Sequence, residues 1–261
     1  MRRMLAGALG ILIAALAAAR AEVRTQDIEY KDGDVVLQGY VAWDDAVPGA
    51  RPGVLVAHQW KGLTDYEKRR ARELAGLGYA AFALDLYGRG IRPQTAEEAG
   101  KQAGIYRGDR PLMRRRARAA LDALAAREAC DPRRIAAIGY CFGGTVVLEL
   151  ARSGAPVAAV VPFHGGLDTP DPADARNIRG KVLVLHGADD PHVPPEQVAA
   201  FEKEMRDAGV DWQMVSYGGA VHAFTDPGAG NDPSKGAAYN ASADRRSWKA
   251  MQGFLEEVFA P

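Results

Sequence analysis

The residues of this chain with the clearest chemistry are a thiol, a carboxylate and an imidazole. Cys141 sits in Gly139-Tyr140-Cys141-Phe142-Gly143-Gly144, between an apolar run, Ile135 to Ile138, and a helical pattern opening at Thr145. A Gly-x-Cys-x-Gly sequence in that setting is the thiol counterpart of the sharp strand-to-helix turn that lifts a nucleophile above the end of a sheet. The glycines suit a strained turn past which other backbone must run closely. The helix that follows aims its free N–H groups at charge forming on the reacting centre. A small buried cysteine in a tight turn would read the same way locally. A nucleophile further needs a base and an acid, in that order of contact. Asp190 follows a later strand, and His222 follows the last one in Gly218-Gly219-Ala220-Val221-His222-Ala223-Phe224. His222 would take the thiol proton or pair with the thiolate, and the acid would hold the other ring nitrogen. Asp189 is the rival acid; His58, His164, His186 and His192 are rival bases, none of which follows the last strand. Two backbone donors would meet the oxyanion, the N–H of Phe142 after the nucleophile and one from the loop after the first buried strand, at Trp60.

Elements that could position these groups recur along the chain. Glu22 to Tyr30 and Val35 to Trp43 flank Lys31-Asp32-Gly33-Asp34 and predict an antiparallel hairpin. Buried strands follow at Gly53 to Ala57, Tyr79 to Leu84, Ile135 to Ile138, Val157 to Phe163, Lys181 to His186 and Trp212 to Tyr217. Helical patterns alternate with them, at about Asp65 to Leu77, Pro111 to Arg127, Thr145 onward, Pro195 to Asp207 and Ala243 to Phe259. This alternation predicts a mostly parallel sheet with helices on both faces, and a site at the carboxyl ends of the strands. Nucleophile, acid and histidine in that order along the chain match the α/β-hydrolase fold.

Composition narrows the class. The chain has 261 residues, 48% hydrophobic and 25% charged, which suits one α/β domain over residues 22–261. Lys+Arg 33 balance Asp+Glu 33, so nothing points to nucleic acid or an acidic surface as partner. Arg2 and Arg3, the apolar run from Met4 to Ala19, and Ala19-Arg20-Ala21 have the layout of a secretory signal peptide over residues 1–21. The expectation is a secreted or periplasmic protein with no membrane attachment after cleavage. Only two cysteines are present, Cys130 and Cys141, separated by the elbow strand. A strand rises about 3.3 Å per residue, which puts the two sulfurs beyond bonding reach and predicts free thiols.

With these residues in view, the sequence resembles the dienelactone hydrolase family over nearly all of the mature chain. The likeness rests on Gly139-Tyr140-Cys141-Phe142-Gly143-Gly144, Asp85-Leu86-Tyr87, Gly187-x-x-Asp190 with Val193-Pro194, and Val221-His222-Ala223-Phe224. It implies a cofactor-free α/β-hydrolase with Cys141, His222 and Asp190 as catalytic triad, hydrolysing an ester or lactone through a thioester; a monomer acting on a small substrate, with no metal, is the accompanying expectation. An acyltransferase on the same triad, and a binding protein on a hydrolase scaffold, are the alternatives. Among residues around the site, the resemblance points to Tyr87, Arg89, Gln59 and Asp226 as substrate-binding or supporting. Gln59 stands where the family's characterised members have a glutamate beside the nucleophile, and can hydrogen-bond to sulfur without taking its proton. Arg89 matches one of the two arginines that hold the carboxylate of the dienelactone. Asp226 occupies the place of the other, which argues against an anionic lactone.

Overall fold

The computed structural model describes residues 22–260, so the expected signal peptide lies outside the described residues. Its strands are β1 (Val23–Asp32), β2 (Val35–Asp44), β3 (Arg51–Ala57), β4 (Ala80–Ala83), β5 (Cys130–Tyr140), β6 (Ala159–Phe163), β7 (Lys181–Gly187) and β8 (Trp212–Tyr217). The helices are α1 (Asp65–Gly76), α2 (Ala96–Gly108), α3 (Arg110–Ala125), α4 (Phe142–Arg152), α5 (Pro195–Ala208) and α6 (Ala241–Val258). The strands form one 8-stranded sheet in the order β1-β2-β4-β3-β5-β6-β7-β8. β1 and β2 are the expected antiparallel hairpin, with Asp32 opposite Val35. β2 meets β4 antiparallel, and from β4 to β8 every pairing is parallel. This is the α/β-hydrolase architecture.

Burial follows from position in the sheet. Central β6 is buried along its whole length, whereas edge strand β1 is mostly exposed and carries the polar sequence VRTQDIEYKD. Apolar side chains of α3, α4 and α5 cover one face of the sheet, including Met113, Leu121, Val147, Leu150, Phe201 and Met205. α1 and α6 cover the other, through Leu74, Met251 and Leu255 among others. Such two-sided cover is what near-continuous apolar strands require. No helix among the described residues is long and apolar enough to cross a membrane.

α4 is buried over its full length, Glu149 and Arg152 included. Its charges are matched rather than exposed. Arg152 donates from Nε and Nη2 to the two carboxylate oxygens of Glu204, at 2.8 and 2.7 Å, and from Nη2 to Leu167 O at 2.9 Å. Glu149 also accepts from Arg114, at 2.7 Å. Buried ions are tolerated only when paired this completely. The arrangement anchors the helix that follows the Cys141 turn.

Most elements run where the sequence predicts them, within a few residues. Two differ. α2 is a regular helix in the stretch between Gly90 and Pro111, which the sequence marks as loop and helical material without bounds; Thr95 and Glu98 close a capping box at its start. β5 begins at Cys130 rather than Ile135, because a register shift at Pro52/Gly53 lets the strand pair across the irregularity. Cys130 is therefore a buried strand residue, and both cysteines are free.

Candidate active site

The turn between β5 and α4 holds Cys141 at φ 54° and ψ −117°, a conformation that non-glycine residues rarely adopt. The glycines around it have steric reasons. A Cβ on Gly139 would lie 2.0 Å from Gly143 O, and one on Gly143 would lie 2.3 Å from Ala57 O. One on Gly144 would meet the Gly165 Cα at 2.7 Å. Four backbone segments thus pass each other at van der Waals contact, and no side chain fits between them. The Cys141 N–H is shared between Phe163 O at 3.0 Å and His164 Nδ1 at 3.1 Å, which pins the turn to the end of β6.

His222 and Asp190 arrive from the ends of β8 and β7. His222 Nε2 lies 3.1 Å from Cys141 Sγ, and its Nδ1 lies 2.8 Å from Asp190 Oδ2. The second Asp190 oxygen accepts the His192 N–H at 2.8 Å. Asp189, the rival acid, instead accepts the Gly219 N–H at 3.0 Å. Of the rival histidines, His58 is buried, donating from Nδ1 to Gln59 O at 2.6 Å and accepting the Leu86 N–H on Nε2 at 3.1 Å. Burial holds it down, to about 4, so that it stays neutral in this role. His164 Nε2 meets Thr225 Oγ1 at 2.7 Å, and burial together with nearby His222 keeps it well below its ordinary value. His192 lines the cleft with its ring 4.9 Å from that of His222. His186 is buried, and its pKa is lowered by that burial.

The loop from His58 to Leu63 faces the elbow and is fixed from several sides. Glu67, buried in the first turn of α1, accepts the Gln59 N–H at 3.1 Å and the Thr64 N–H at 2.9 Å. Asp85 caps the turn after β4 by accepting the Tyr87 and Gly88 N–H groups, at 3.1 and 3.2 Å. Tyr87 in turn donates to Trp60 O at 2.9 Å. The Asp85-Leu86-Tyr87 motif thereby shapes the loop from below, since Tyr87 is buried and packs near Phe142 with centroids 5.9 Å apart. The Trp60 N–H has no protein acceptor among the described residues.

A cleft of about 740 Å³ opens over Cys141 and His222. Gln59, Trp60, Arg107 and Asp226 are among the side chains that line it. Two expectations need correction. Arg89 is outside this lining: its guanidinium pairs with Glu29 at 2.6 Å on the exposed hairpin side, and Arg107 of α2 is the arginine at the cleft. Gln59 reaches Asp226 rather than the sulfur, with Nε2 donating to Asp226 Oδ2 at 2.9 Å. A side-chain carboxylate is the stronger acceptor, and here it lies within reach. No group of three or more His, Cys, Asp or Glu side chains among the described residues is placed to hold a metal ion.

The electrostatics favour a charged pair. Burial presses against the Cys141 thiolate, but the facing His222 ring and the Phe142 N–H outweigh it and lower the thiol pKa. Burial also opposes charge on His222, yet the thiolate and Asp190 raise it to about 10. The two opposite shifts, thiol down and imidazole up, favour the thiolate–imidazolium form of the pair. The rate of Cys141 alkylation by iodoacetamide should accordingly rise with pH at a midpoint below about 8.5, the free-thiol value. In His222→Ala the ion pair is gone while burial still opposes the thiolate, so the midpoint should move upward from the wild-type one. Identical profiles for the two proteins would contradict the pairing.

The chain as a whole is similar to known proteins. A dienelactone hydrolase-like promiscuous phosphotriesterase from metagenomic libraries is 46% identical, with a TM-score of 0.88 over 92% of this chain and 100% of that one. The structure of m3DLH matches at 47% identity and the same TM-score, over 91% of this chain and 99% of the other. A Caenorhabditis elegans protein, K02A2.1, is 37% identical over 150 residues, which are 57% of this chain and 95% of that protein. The sequence profile of the dienelactone hydrolase family matches residues 37–259. The chain belongs to the dienelactone hydrolase family and is a hydrolase of the ester and lactone type.

Proposed function

We propose that the protein hydrolyses a small carboxylic ester or lactone by covalent thiol catalysis, with Cys141 as nucleophile, His222 as acid and base, and Asp190 orienting His222. The observation that carries this reading is the array Sγ–Nε2, 3.1 Å, and Nδ1–Oδ2, 2.8 Å, at the floor of the cleft. In this scheme the Cys141 thiolate attacks the substrate carbonyl carbon, forming a C–S bond as the C=O electrons move onto oxygen. The N–H groups of Phe142 and Trp60 receive that oxyanion. Collapse expels the alkoxide, which takes the Nε2 proton of His222 and leaves a thioester on Sγ. Water then attacks the thioester and gives its proton back to Nε2. The second collapse releases the carboxylic acid and restores the thiolate–imidazolium pair. All three side chains come from one chain, so a monomer suffices for the reaction.

Pre-steady-state kinetics with an aryl ester test the scheme. The expected result is a burst of aryl alcohol close to one per active site, followed by slower turnover. A linear time course from the first turnover, with no acyl-enzyme detected, would count against a thioester. The substrate screen should include aryl phosphotriesters, given the likeness to a promiscuous phosphotriesterase.

In the same reading, residues 1–21 direct export and are removed. N-terminal sequencing of protein recovered from the export compartment should begin near Glu22. Protein that still begins at Met1 would contradict it.

A further inference from the structure

Resting on the thiol-hydrolase reading, we propose that the Gln59–Asp226 hydrogen bond is a positioning tie that fixes the oxyanion loop against the histidine segment. Gln59 immediately precedes Trp60, the second oxyanion donor in that reading. The other anchors of this loop, from His58, Glu67 and Tyr87, belong to the β3–α1–β4 side of the site. The amide of Gln59 alone reaches across: among the described residues, Nε2 to Asp226 Oδ2 at 2.9 Å is the side-chain hydrogen bond joining 58–64 to 222–230. Its far end is itself held firmly. Asp226 lies four residues beyond His222, accepts the Gly228 N–H on Oδ1 at 2.8 Å, and donates its own N–H to Ala223 O at 2.9 Å. Next to it, Thr225 is gripped by His164 and by Tyr66, each at 2.7 Å. The tie therefore links the two segments whose separation sets the gap between oxyanion donor and base.

The chemistry of the pair dictates its residue types. A glutamine offers the N–H that a carboxylate can accept, whereas a glutamate at this position would set two carboxylates against each other. Such a pair retains one proton with its pKa raised. The choice of Gln59 and the choice of Asp226 are thus a single choice. Exchanging them is the informative test: Gln59→Glu with Asp226→Asn restores one amide-to-carboxylate bond with donor and acceptor reversed.

The experiment compares wild type, Gln59→Glu, Asp226→Asn and the double variant in aryl-ester turnover against pH. Alongside it runs a carboxyl-carbon NMR titration of each. In Gln59→Glu, kcat at neutral pH should fall about ten- to a hundredfold, the order expected when a reacting geometry is displaced by about an ångström. It should recover partly at acid pH, where the shared proton returns. Asp226→Asn keeps an oxygen acceptor and should lose less. The double variant should return to within about threefold of wild type, since its contact is of the same charge-assisted kind. Buried Glu67 titrates above the ordinary carboxyl range of about 4 in every variant, and NMR should show one further raised carboxyl in Gln59→Glu only. That readout stands whether or not the protein turns over esters. No raised carboxyl beyond Glu67 in Gln59→Glu would mean the contact does not exist, and a double variant no better than Gln59→Glu would mean it positions nothing. Wild type inactive on every ester, with the further raised carboxyl present in Gln59→Glu, would remove the hydrolase reading and leave the contact standing.

Discussion

Cys141→Ala should lose at least about three orders of magnitude in ester turnover while unfolding as cooperatively as wild type, since the oxyanion donors and binding alone would remain. The expectation separates chemistry from packing. Cys141 is only partly buried, and truncating its thiol opens space toward the cleft rather than inside the core. The strained φ of 54° does not relax with the substitution, because neighbouring backbone imposes it. The Cys141→Ala chain should therefore keep the turn and lose the reaction. His222→Ala should lose less than Cys141→Ala in alkylation, though not in turnover, as the bare thiol retains some reactivity. Wild-type turnover in Cys141→Ala would end the nucleophile assignment, whatever the geometry suggests.

The second large effect is predicted at Gly143, and it acts on the fold as well as the reaction. Gly143→Ala places a methyl 2.3 Å from Ala57 O and 2.7 Å from His58 O, both backbone atoms. Neither can swing aside as a flexible side chain would. Either α4 moves away from β3 or the His58 loop is displaced, and both carry the proposed oxyanion donors. Overpacking of this kind costs about 3 kcal/mol or more, which lowers the melting midpoint of a chain this size by roughly 6–12 °C. Turnover should fall even at temperatures where the variant remains folded. Gly100→Ala is the control: it lies in α2 with nothing within 4 Å of its added Cβ. There alanine should be neutral or stabilising by up to about 1 kcal/mol. Equal midpoints for the two variants would show that the elbow is looser than its contacts indicate.

Much of the fold, and the elements of the site, were legible in the residues. Gly139, Gly143 and Gly144 announce a turn that admits no side chains, and strand-end positions announce Asp190 and His222. Such signals are local: each depends on a few neighbouring residues and on the period of burial. α2 could also have been found, since Thr95 and Glu98 spell a capping box. Its pattern of apolar residues is weak because Gly100 and Gly104 interrupt it, and only Ala99, Ala103 and Tyr106 are buried. What stayed hidden depends on partners far away in sequence. Gln59 meets Asp226 across 167 residues, and no pattern near Gln59 marks that acceptor. Arg89 follows the Asp85-Leu86-Tyr87 motif, which suggests the site, yet β1 offers Glu29 on the outer side and takes the guanidinium away. Arg107 had no motif to mark it; α2 carries it to the cleft, where it sits 5.7 Å from the Phe142 ring. His164 likewise accepts the Cys141 N–H only because the end of β6 lies beside the elbow.

The most direct test of covalent thiol catalysis is mass spectrometry of the protein quenched during turnover of an activated ester. The predicted result is a gain in mass equal to one acyl group, located on the peptide containing Cys141, labile to hydroxylamine and absent from Cys141→Ala. Sustained wild-type hydrolysis with the acyl group on another residue, or with no acyl group on Cys141 at any quench time, would contradict it.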